Sequence, residues 1–206
     1  MKQPVIVCLD LEGVLVPEVW ISLAEATQID DLRLTTRDIS DYDVLMKKRL
    51  EILADHSLRI QDVHAAVDTL NPLAGASEFL ESLRATYQVV ILSDTFYEVI
   101  APLMKKLHYP TLFSHSLKVA PDGQILNYHL RQPDQKQKSV MAFKNLNFRV
   151  LAAGDSYNDT TMLQSADQGI FFRPPDSIVR EFPQFPVTQT YAELRAQLDK
   201  AASLLQ

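Results

Sequence analysis

The 206-residue chain has 20 Lys and Arg residues against 26 Asp and Glu residues, a formal net charge of −6 at pH 7. This acidic balance argues against a nucleic-acid partner, whose phosphates would demand a basic face. With 47% hydrophobic residues and no low-complexity tract, the chain can bury one core and a small second module. No apolar run reaches the ~20 residues that a membrane helix needs, so we expect no membrane partner.

The first predicted strand begins almost at the N-terminus. Val5 to Leu9 form a continuous apolar run, which is typical of a strand buried on both faces of a parallel sheet. Because no signal peptide precedes this run, we expect a cytoplasmic protein. Cys8 is the only cysteine, so an internal disulfide is excluded, and its place inside the run indicates a buried, inert thiol.

Three predicted strands end in polar, mostly acidic loops. A strand-end Asp before Gly is also a common turn, so each loop alone is weak evidence for a site. Three together favour one, because the strand ends of a parallel sheet carry the ligand site. The loops are Asp10-Leu11-Glu12-Gly13 after residues 5–9, Ser93-Asp94-Thr95 after residues 89–92, and Gly154-Asp155-Ser156-Tyr157-Asn158-Asp159 after residues 150–153.

A block with helical periodicity separates the first strand from the rest. Residues 17–71 show almost no strand pattern, and Asn71-Pro72 breaks the helical pattern. We interpret this block as an inserted helical cap, a lid over the strand ends. The remaining residues, 1–16 and 72–206, predict an α/β core with a doubly wound, Rossmann-like parallel sheet.

The second half of the chain alternates helical and strand patterns. Helices are predicted over residues 76–86, 96–107 and 191–205, with a short core strand over residues 169–172. Pro121-Asp122-Gly123 indicates a hairpin turn. A polar stretch holds Lys136 and Lys138, and the helix after it is expected to start at Ser139.

The ordered set of a carboxylate, a hydroxyl, an ammonium and a second acidic cluster resembles the haloacid dehalogenase superfamily of aspartate-nucleophile phosphotransferases. The resemblance runs from Ile6 to about Asp159. It implies that Asp10 is the nucleophile, forming an aspartyl-phosphate, and that Glu12 is the general acid and base. Most of the superfamily has Asp at the position of Glu12, and the extra methylene shifts this carboxylate by roughly one bond.

Magnesium is the expected cofactor, because it prefers oxygen ligands and reduces the repulsion between a carboxylate and a phosphoryl group. The candidate ligands are Asp10, Asp155 and the backbone carbonyl of Glu12. Asp159 either joins them or complements the dipole of the helix that follows it. The Ser93 hydroxyl is expected to bind phosphoryl oxygens.

Further phosphate contacts are expected from an amide and a lysine. The Asp94 amide, placed at the start of a helix, is the backbone donor. Lys136 or Lys138 would neutralise the charge, and the resemblance favours Lys136. Asn158 completes the candidate substrate-binding residues.

One branch of the superfamily matches the three loops closely, the bacterial phosphoserine phosphatases that also transfer phosphate to homoserine. This resemblance implies that Arg49 meets the carboxylate of the amino-acid substrate and Glu18 its ammonium group. Two alternatives are a phosphatase of another small phosphometabolite and a non-catalytic phosphate-sensing module. The paired Asp10 and Glu12 argue against the sensor, which needs no acid for a leaving group. Both a monomer and a homodimer fit the sequence.

Overall fold

A computed structural model describes residues 3–35, 38–39 and 41–205, and a β-sheet lies at its centre. The strands are β1 (Val5–Leu9), β2 (Gln88–Phe96), β3 (Leu112–Val119), β4 (Ile125–His129), β5 (Arg149–Gly154), β6 (Gln168–Phe172) and β7 (Val187–Thr188). They pair in the order β4-β3-β2-β1-β5-β6-β7, and every pair is parallel except the β3–β4 hairpin. The strand order reverses at β1, which pairs with β2 on one side and β5 on the other.

The helices connect these strands and cover both faces of the sheet. They are α1 (Val19–Thr27), α2 (Tyr42–Asp55), α3 (Ile60–Asp68), α4 (Ala76–Arg84), α5 (Tyr97–Lys106), α6 (Gln135–Asn145), α7 (Thr160–Ser165), α8 (Asp176–Glu181) and α9 (Tyr191–Leu204). Short 3-10 helices lie at Asp30–Arg33 and Tyr157–Asp159. Among the described residues, no helix is both long and apolar enough to cross a bilayer.

The side chains of β1 divide between two hydrophobic clusters. Val5, Val7 and Leu9 pack into a large cluster with residues of α1, α3, α4, α5 and α9, while Ile6 and Cys8 pack with residues of α6, α7 and α8. Every residue of β1 is buried, which explains its continuous apolar sequence. The predicted doubly wound α/β fold is confirmed.

The described part of residues 17–71 consists of helices α1 to α3 and one 3-10 helix. Helix α1 packs against α3, α3 packs on α5, and α2 packs on β4. These helices therefore contact the remainder of the chain through α5 and the hairpin. The division of the chain into a core and a cap remains a prediction.

The β3–β4 hairpin is bonded to the start of α3. The Arg59 guanidinium donates to the carbonyl oxygen of Asp122 at 2.7 Å and to its carboxylate at 2.5 Å, and the Ile60 amide donates to the Gly123 carbonyl at 2.9 Å. Tyr128 of β4 also donates a hydrogen bond from its hydroxyl to Asp43 of α2. The turn predicted at residues 121–123 is therefore bonded to α3, and strand β4 of the same hairpin is bonded to α2.

Two predicted boundaries are wrong near the strand ends. Strand β2 runs through Phe96, because Phe96 pairs with His115 of β3, and α5 starts only at Tyr97. The Asp94 amide therefore lies in a strand, and the expectation that it starts a helix fails. Helix α6 begins at Gln135 instead of Ser139, which places Lys136 in its first turn.

Candidate active site

Asp10 and Lys136 form a buried ion pair at the end of β1. The Asp10 amide donates to the Ala153 carbonyl at 2.9 Å, which continues the pairing of β1 with β5. The Lys136 ammonium donates to Asp10 Oδ1 at 2.9 Å and Asp159 Oδ1 at 2.8 Å. Its side chain is only 3% exposed, whereas Lys138 lies exposed on the same helix. Lys136 is therefore the lysine that contacts the candidate nucleophile.

Lys136 is held charged by its neighbours. Burial alone would lower the pKa of Lys136, but Asp10, Asp159 and Asp94 outweigh burial and hold it well above its ordinary value. The Asp94 carboxylate contributes from 3.5 Å. A permanent positive charge thus lies among three carboxylates.

Asp10, Asp155 and Asp159 form an acidic cluster in which one carboxylate oxygen from each residue lies within 4.8 Å of the other two. Burial, followed by the charge of Asp159, raises the pKa of Asp10 well above its ordinary value. The same two causes raise the pKa of Asp155 to about 7, with Glu18 adding to them. Closely spaced hard oxygen donors that repel one another fit a divalent cation such as Mg²⁺.

Gly13 makes room for the acidic cluster. It has φ +76°, and a Cβ built on it would lie 2.5 Å from Asp155 Oδ2. Any other residue would combine an unfavourable backbone conformation with a clash against a cluster carboxylate. The glycine between β1 and α1 is therefore required by the packing of the site.

Asp159 makes two separate sets of contacts, while its role as a metal ligand stays a prediction. Its Oδ2 accepts hydrogen bonds from the amides of Asp155 at 3.0 Å and Ser156 at 3.1 Å, so it completes the capping of the short helix that starts at Tyr157. Its Oδ1 faces Lys136 within the acidic cluster. Local capping and the contact with Lys136 use different oxygens of one carboxylate.

Glu12 has a different environment from the acidic cluster. Its Oε1 accepts a hydrogen bond from the Val19 amide, at the first residue of α1, over 2.8 Å. Burial and the charge of Glu18 raise the pKa of Glu12 to about 7. Among the described residues, its carboxylate is not part of the group that could hold a metal. A carboxyl group with a near-neutral pKa can both give and take a proton.

Asp94 joins several parts of the site. Its carboxylate accepts hydrogen bonds from Asn158 at 3.1 Å and Gln135 at 3.3 Å, and its carbonyl accepts one from the Tyr42 hydroxyl at 3.0 Å. Burial raises the pKa of Asp94, but Lys136, Asn158 and Gln135 together lower it by more, so the pKa lies below its ordinary value. Gln135 and Tyr42 were not among the candidates, because a polar residue at a helix start and an aromatic on a helix face carry no site pattern.

A cavity of about 660 Å³ brings the candidate residues together. Arg49, buried within α2, donates to the Leu34 carbonyl at 2.7 Å and lies over the Trp20 ring. Glu18 is the N-cap residue of α1. The predicted residues that line the cavity are Asp10, Glu12, Glu18, Arg49, Ser93, Asp94, Lys136 and Asn158.

The sequence also matches a known family over most of its length. Residues 6–167 match the haloacid dehalogenase-like hydrolases. The chain belongs to this family. This haloacid dehalogenase-like hydrolase is 58% identical to the phosphoserine phosphatase of Pseudomonas syringae pv. tomato over 198 residues, 96% of this chain and 84% of that protein. It is 57% identical to phosphoserine phosphatase ThrH of Pseudomonas aeruginosa, covering 96% of this chain and 97% of the relative.

Solved structures share the fold of this haloacid dehalogenase-like hydrolase at lower identity. A phosphoserine phosphatase in its apo form superposes with a TM-score of 0.74 at 22% identity, covering 92% of this chain and 94% of that chain. A phospho-aspartyl intermediate analogue of phosphoserine phosphatase gives 0.77 at 21% identity, covering 95% and 99%. These likenesses establish the shared architecture.

Proposed function

We propose that this chain is a magnesium-dependent phosphoserine phosphatase that also transfers the phosphoryl group to homoserine. The observation that carries this proposal is the shared cavity, in which Arg49 and Glu18 lie along with Asp10 and Glu12. Asp10 and Glu12 can carry out phosphoryl and proton transfer. Arg49 and Glu18 carry charges that complement the carboxylate and the ammonium group of an amino acid. Two relatives named phosphoserine phosphatase, at 57–58% identity, support the same substrate.

Mg²⁺ would be held by Asp10, Asp155 and Asp159, with the backbone carbonyl of Glu12. When bound, its charge reduces the repulsion between the Asp10 carboxylate and the phosphoryl oxygens. Lys136 adds a second positive charge, fixed 2.9 Å from Asp10. The Ser93 hydroxyl, buried at the wall of the cavity, donates a hydrogen bond to a phosphoryl oxygen.

In the first step, a carboxylate oxygen of Asp10 attacks the phosphorus of phosphoserine. Lys136 binds Oδ1, so we assign the attack to Oδ2. The bond between phosphorus and the serine oxygen breaks, and protonated Glu12 gives its proton to that oxygen. The products of this step are serine and an aspartyl-phosphate, with Glu12 left as a carboxylate.

In the second step, Glu12 takes a proton from water or from the hydroxyl of homoserine. The oxygen of the acceptor attacks phosphorus, and the bond to Asp10 breaks. Water gives inorganic phosphate, and homoserine gives O-phosphohomoserine. Homoserine competes with water through orientation, because the cavity that released serine can hold another amino acid.

Arg49 and Glu18 recognise the amino-acid part of the substrate. The planar guanidinium of Arg49 can bind a carboxylate through two parallel hydrogen bonds, and Glu18 can accept from an ammonium group. Arg49 is buried, and its Nε has no hydrogen-bond partner among the described residues. A buried donor without a partner is costly unless a ligand completes it.

Product identification tests this proposal. We expect phosphoserine and Mg²⁺ alone to give serine and inorganic phosphate. As homoserine is raised at fixed phosphoserine, the yield of O-phosphohomoserine should rise while that of inorganic phosphate falls. Phosphate release without O-phosphohomoserine would refute the transfer activity alone, and no turnover of phosphoserine would refute the proposed function.

A further inference from the structure

Trp20 of α1 supports the buried guanidinium of Arg49. We propose that Trp20 is a positioning residue that sets the preference of the enzyme for phosphomonoesters carrying a carboxylate. It does so by holding the Arg49 guanidinium over its ring, which leaves N–H donors available to the substrate. This inference rests on the proposed function, in which Arg49 binds the substrate carboxylate.

The contacts of Arg49 leave donors for a ligand. The guanidinium carbon lies 4.4 Å from the centroid of the Trp20 ring, well within the range of a cation–π interaction. Nη2 is bound by the Leu34 carbonyl at 2.7 Å, and Nη1 lies 3.7 Å from the Met46 sulfur, which is a weak acceptor. Nε has no hydrogen-bond partner among the described residues.

A buried cation needs compensation for its lost hydration. Burial lowers the pKa of Arg49 to about 10, although Glu12, Tyr42 and Glu18 oppose this shift, and the group stays charged at neutral pH. An aromatic face attracts the cation without accepting any of its N–H bonds. A carboxylate in the same position would occupy those donors and compete with the substrate. The Trp20 ring can therefore stabilise the Arg49 cation while the N–H donors of Arg49 stay available to a ligand.

The Trp20 ring lies in the first turn of α1, where the neighbouring Val19 amide donates to the Glu12 carboxylate. Trp20 is 8% exposed and packs in the large hydrophobic cluster. It lies one residue after Val19, whose amide binds Glu12. Arg49 comes from another helix, α2, so the ring joins α1 to α2 at the cavity. The position of the Trp20 ring is therefore linked to that of the Glu12 carboxylate and to that of the Arg49 guanidinium.

A pair of substrates separates this role from a general structural one. Phosphoserine and phosphoethanolamine differ only in the carboxylate. We expect Trp20→Leu to reduce the kcat/KM ratio of phosphoserine to phosphoethanolamine by about 5- to 30-fold, mainly through the KM of phosphoserine. Trp20→Phe retains an aromatic face and should reduce the ratio less. A variant that folds poorly loses activity on both substrates alike, so the ratio reports the recognition step.

The Arg49→Ala background tests whether Trp20 acts through Arg49. In that background Trp20→Leu should leave the substrate ratio unchanged, because the cation that the ring holds is gone. The same drop in both backgrounds, or an unchanged ratio in the otherwise native enzyme, would overturn the role of Trp20. If Arg49→Ala itself leaves the ratio unchanged, Arg49 does not read the carboxylate, and the substrate recognition in the proposed function fails with it.

Fluorescence supplies a readout without turnover, because Trp20 is the only tryptophan in the chain. We expect L-serine, which carries the carboxylate, to change the emission of Trp20 in a saturable manner, and ethanolamine to do so far less. Arg49→Ala should abolish the response to serine. An equal response to both ligands, or a response that survives Arg49→Ala, would contradict the proposal.

Discussion

Lys136 illustrates how single residues determine the chemistry of this site. Its ammonium group is almost fully buried and lies within 3.5 Å of three carboxylates. Removing a charge from water is expensive, and here the attraction of three opposite charges offsets that cost. Removal of the lysine would leave those carboxylates uncompensated, so the same ion pairs should serve the stability of the fold and the proposed catalysis.

Lys136→Met should lower the free energy of unfolding by about 3–5 kcal/mol, the usual cost of breaking a buried ion pair. Lys138→Met is the matched control, since Lys138 is exposed two residues further along the same helix, and it should change stability by less than about 0.5 kcal/mol. Urea unfolding in the presence of a chelator measures both. Similar values for the two variants would show that the buried ion pairs of Lys136 contribute little.

Glu12→Gln should reduce turnover of phosphoserine by about 10²–10⁴-fold, because an amide cannot transfer the proton. The amide oxygen of Gln can still accept the hydrogen bond from Val19, so the fold should be preserved. Steady-state kinetics, with thermal unfolding as the check on folding, measures the effect. Wild-type turnover in this variant would remove Glu12 from the mechanism.

Apolar runs predict the strands of this chain well, while element boundaries that depend on tertiary contacts cannot be predicted from its sequence. Strands β1, β5 and β6 follow their apolar patterns. Strand β2 continues through Ser93 and Asp94 because β3 lies beside it, a contact that the polar sequence does not signal. Gln135 and Lys136 are polar yet buried at the start of α6, so the apolar pattern predicts a start for this helix that lies four residues too far along the chain, at Ser139.

Gly123→Ala tests how the hairpin turn is fixed to α3. Gly123 has φ +91°, and a Cβ there would lie 2.1 Å from the side-chain oxygen of Gln61. The backbone conformation alone should cost about 1–2 kcal/mol. The atom that the added Cβ would meet is the far end of an exposed, flexible side chain, which can move aside, so this contact should add little. The loss measured by urea unfolding should therefore be similar in the Gln61→Ala background, and a much smaller loss there would show that Gln61 restricts the turn.

The reversal of strand order at β1 brings segments that are distant in the sequence into one cavity. Asp10 and Asp155 directly follow β1 and β5, and Ser93 lies within β2; these three strands are adjacent in the sheet. The sequence itself predicts that the strand ends meet at one edge of the sheet. The role of Arg49 toward the substrate is implied only by the family resemblance. Contacts between helices, such as Trp20 with Arg49, depend on packing that one sequence does not reveal.

Mg²⁺ should stabilise the entire fold, because ligand binding to the native state shifts the unfolding equilibrium. We expect Mg²⁺ to raise the unfolding temperature of the wild type above that in chelator. Asp155→Asn, which removes one charge from the acidic cluster, should lose most of this increase. Potassium chloride at equal ionic strength is the control. An undiminished increase in Asp155→Asn would place the metal elsewhere.

Asp10 is expected to carry the phosphoryl group during turnover. Enzyme mixed with phosphoserine labelled with radioactive phosphate and then quenched in acid should retain label on the peptide containing Asp10, and hydroxylamine should release it as expected for an acyl phosphate. Asp10→Asn should show neither label nor turnover. Label on another residue, or turnover of phosphoserine by Asp10→Asn, would contradict the mechanism.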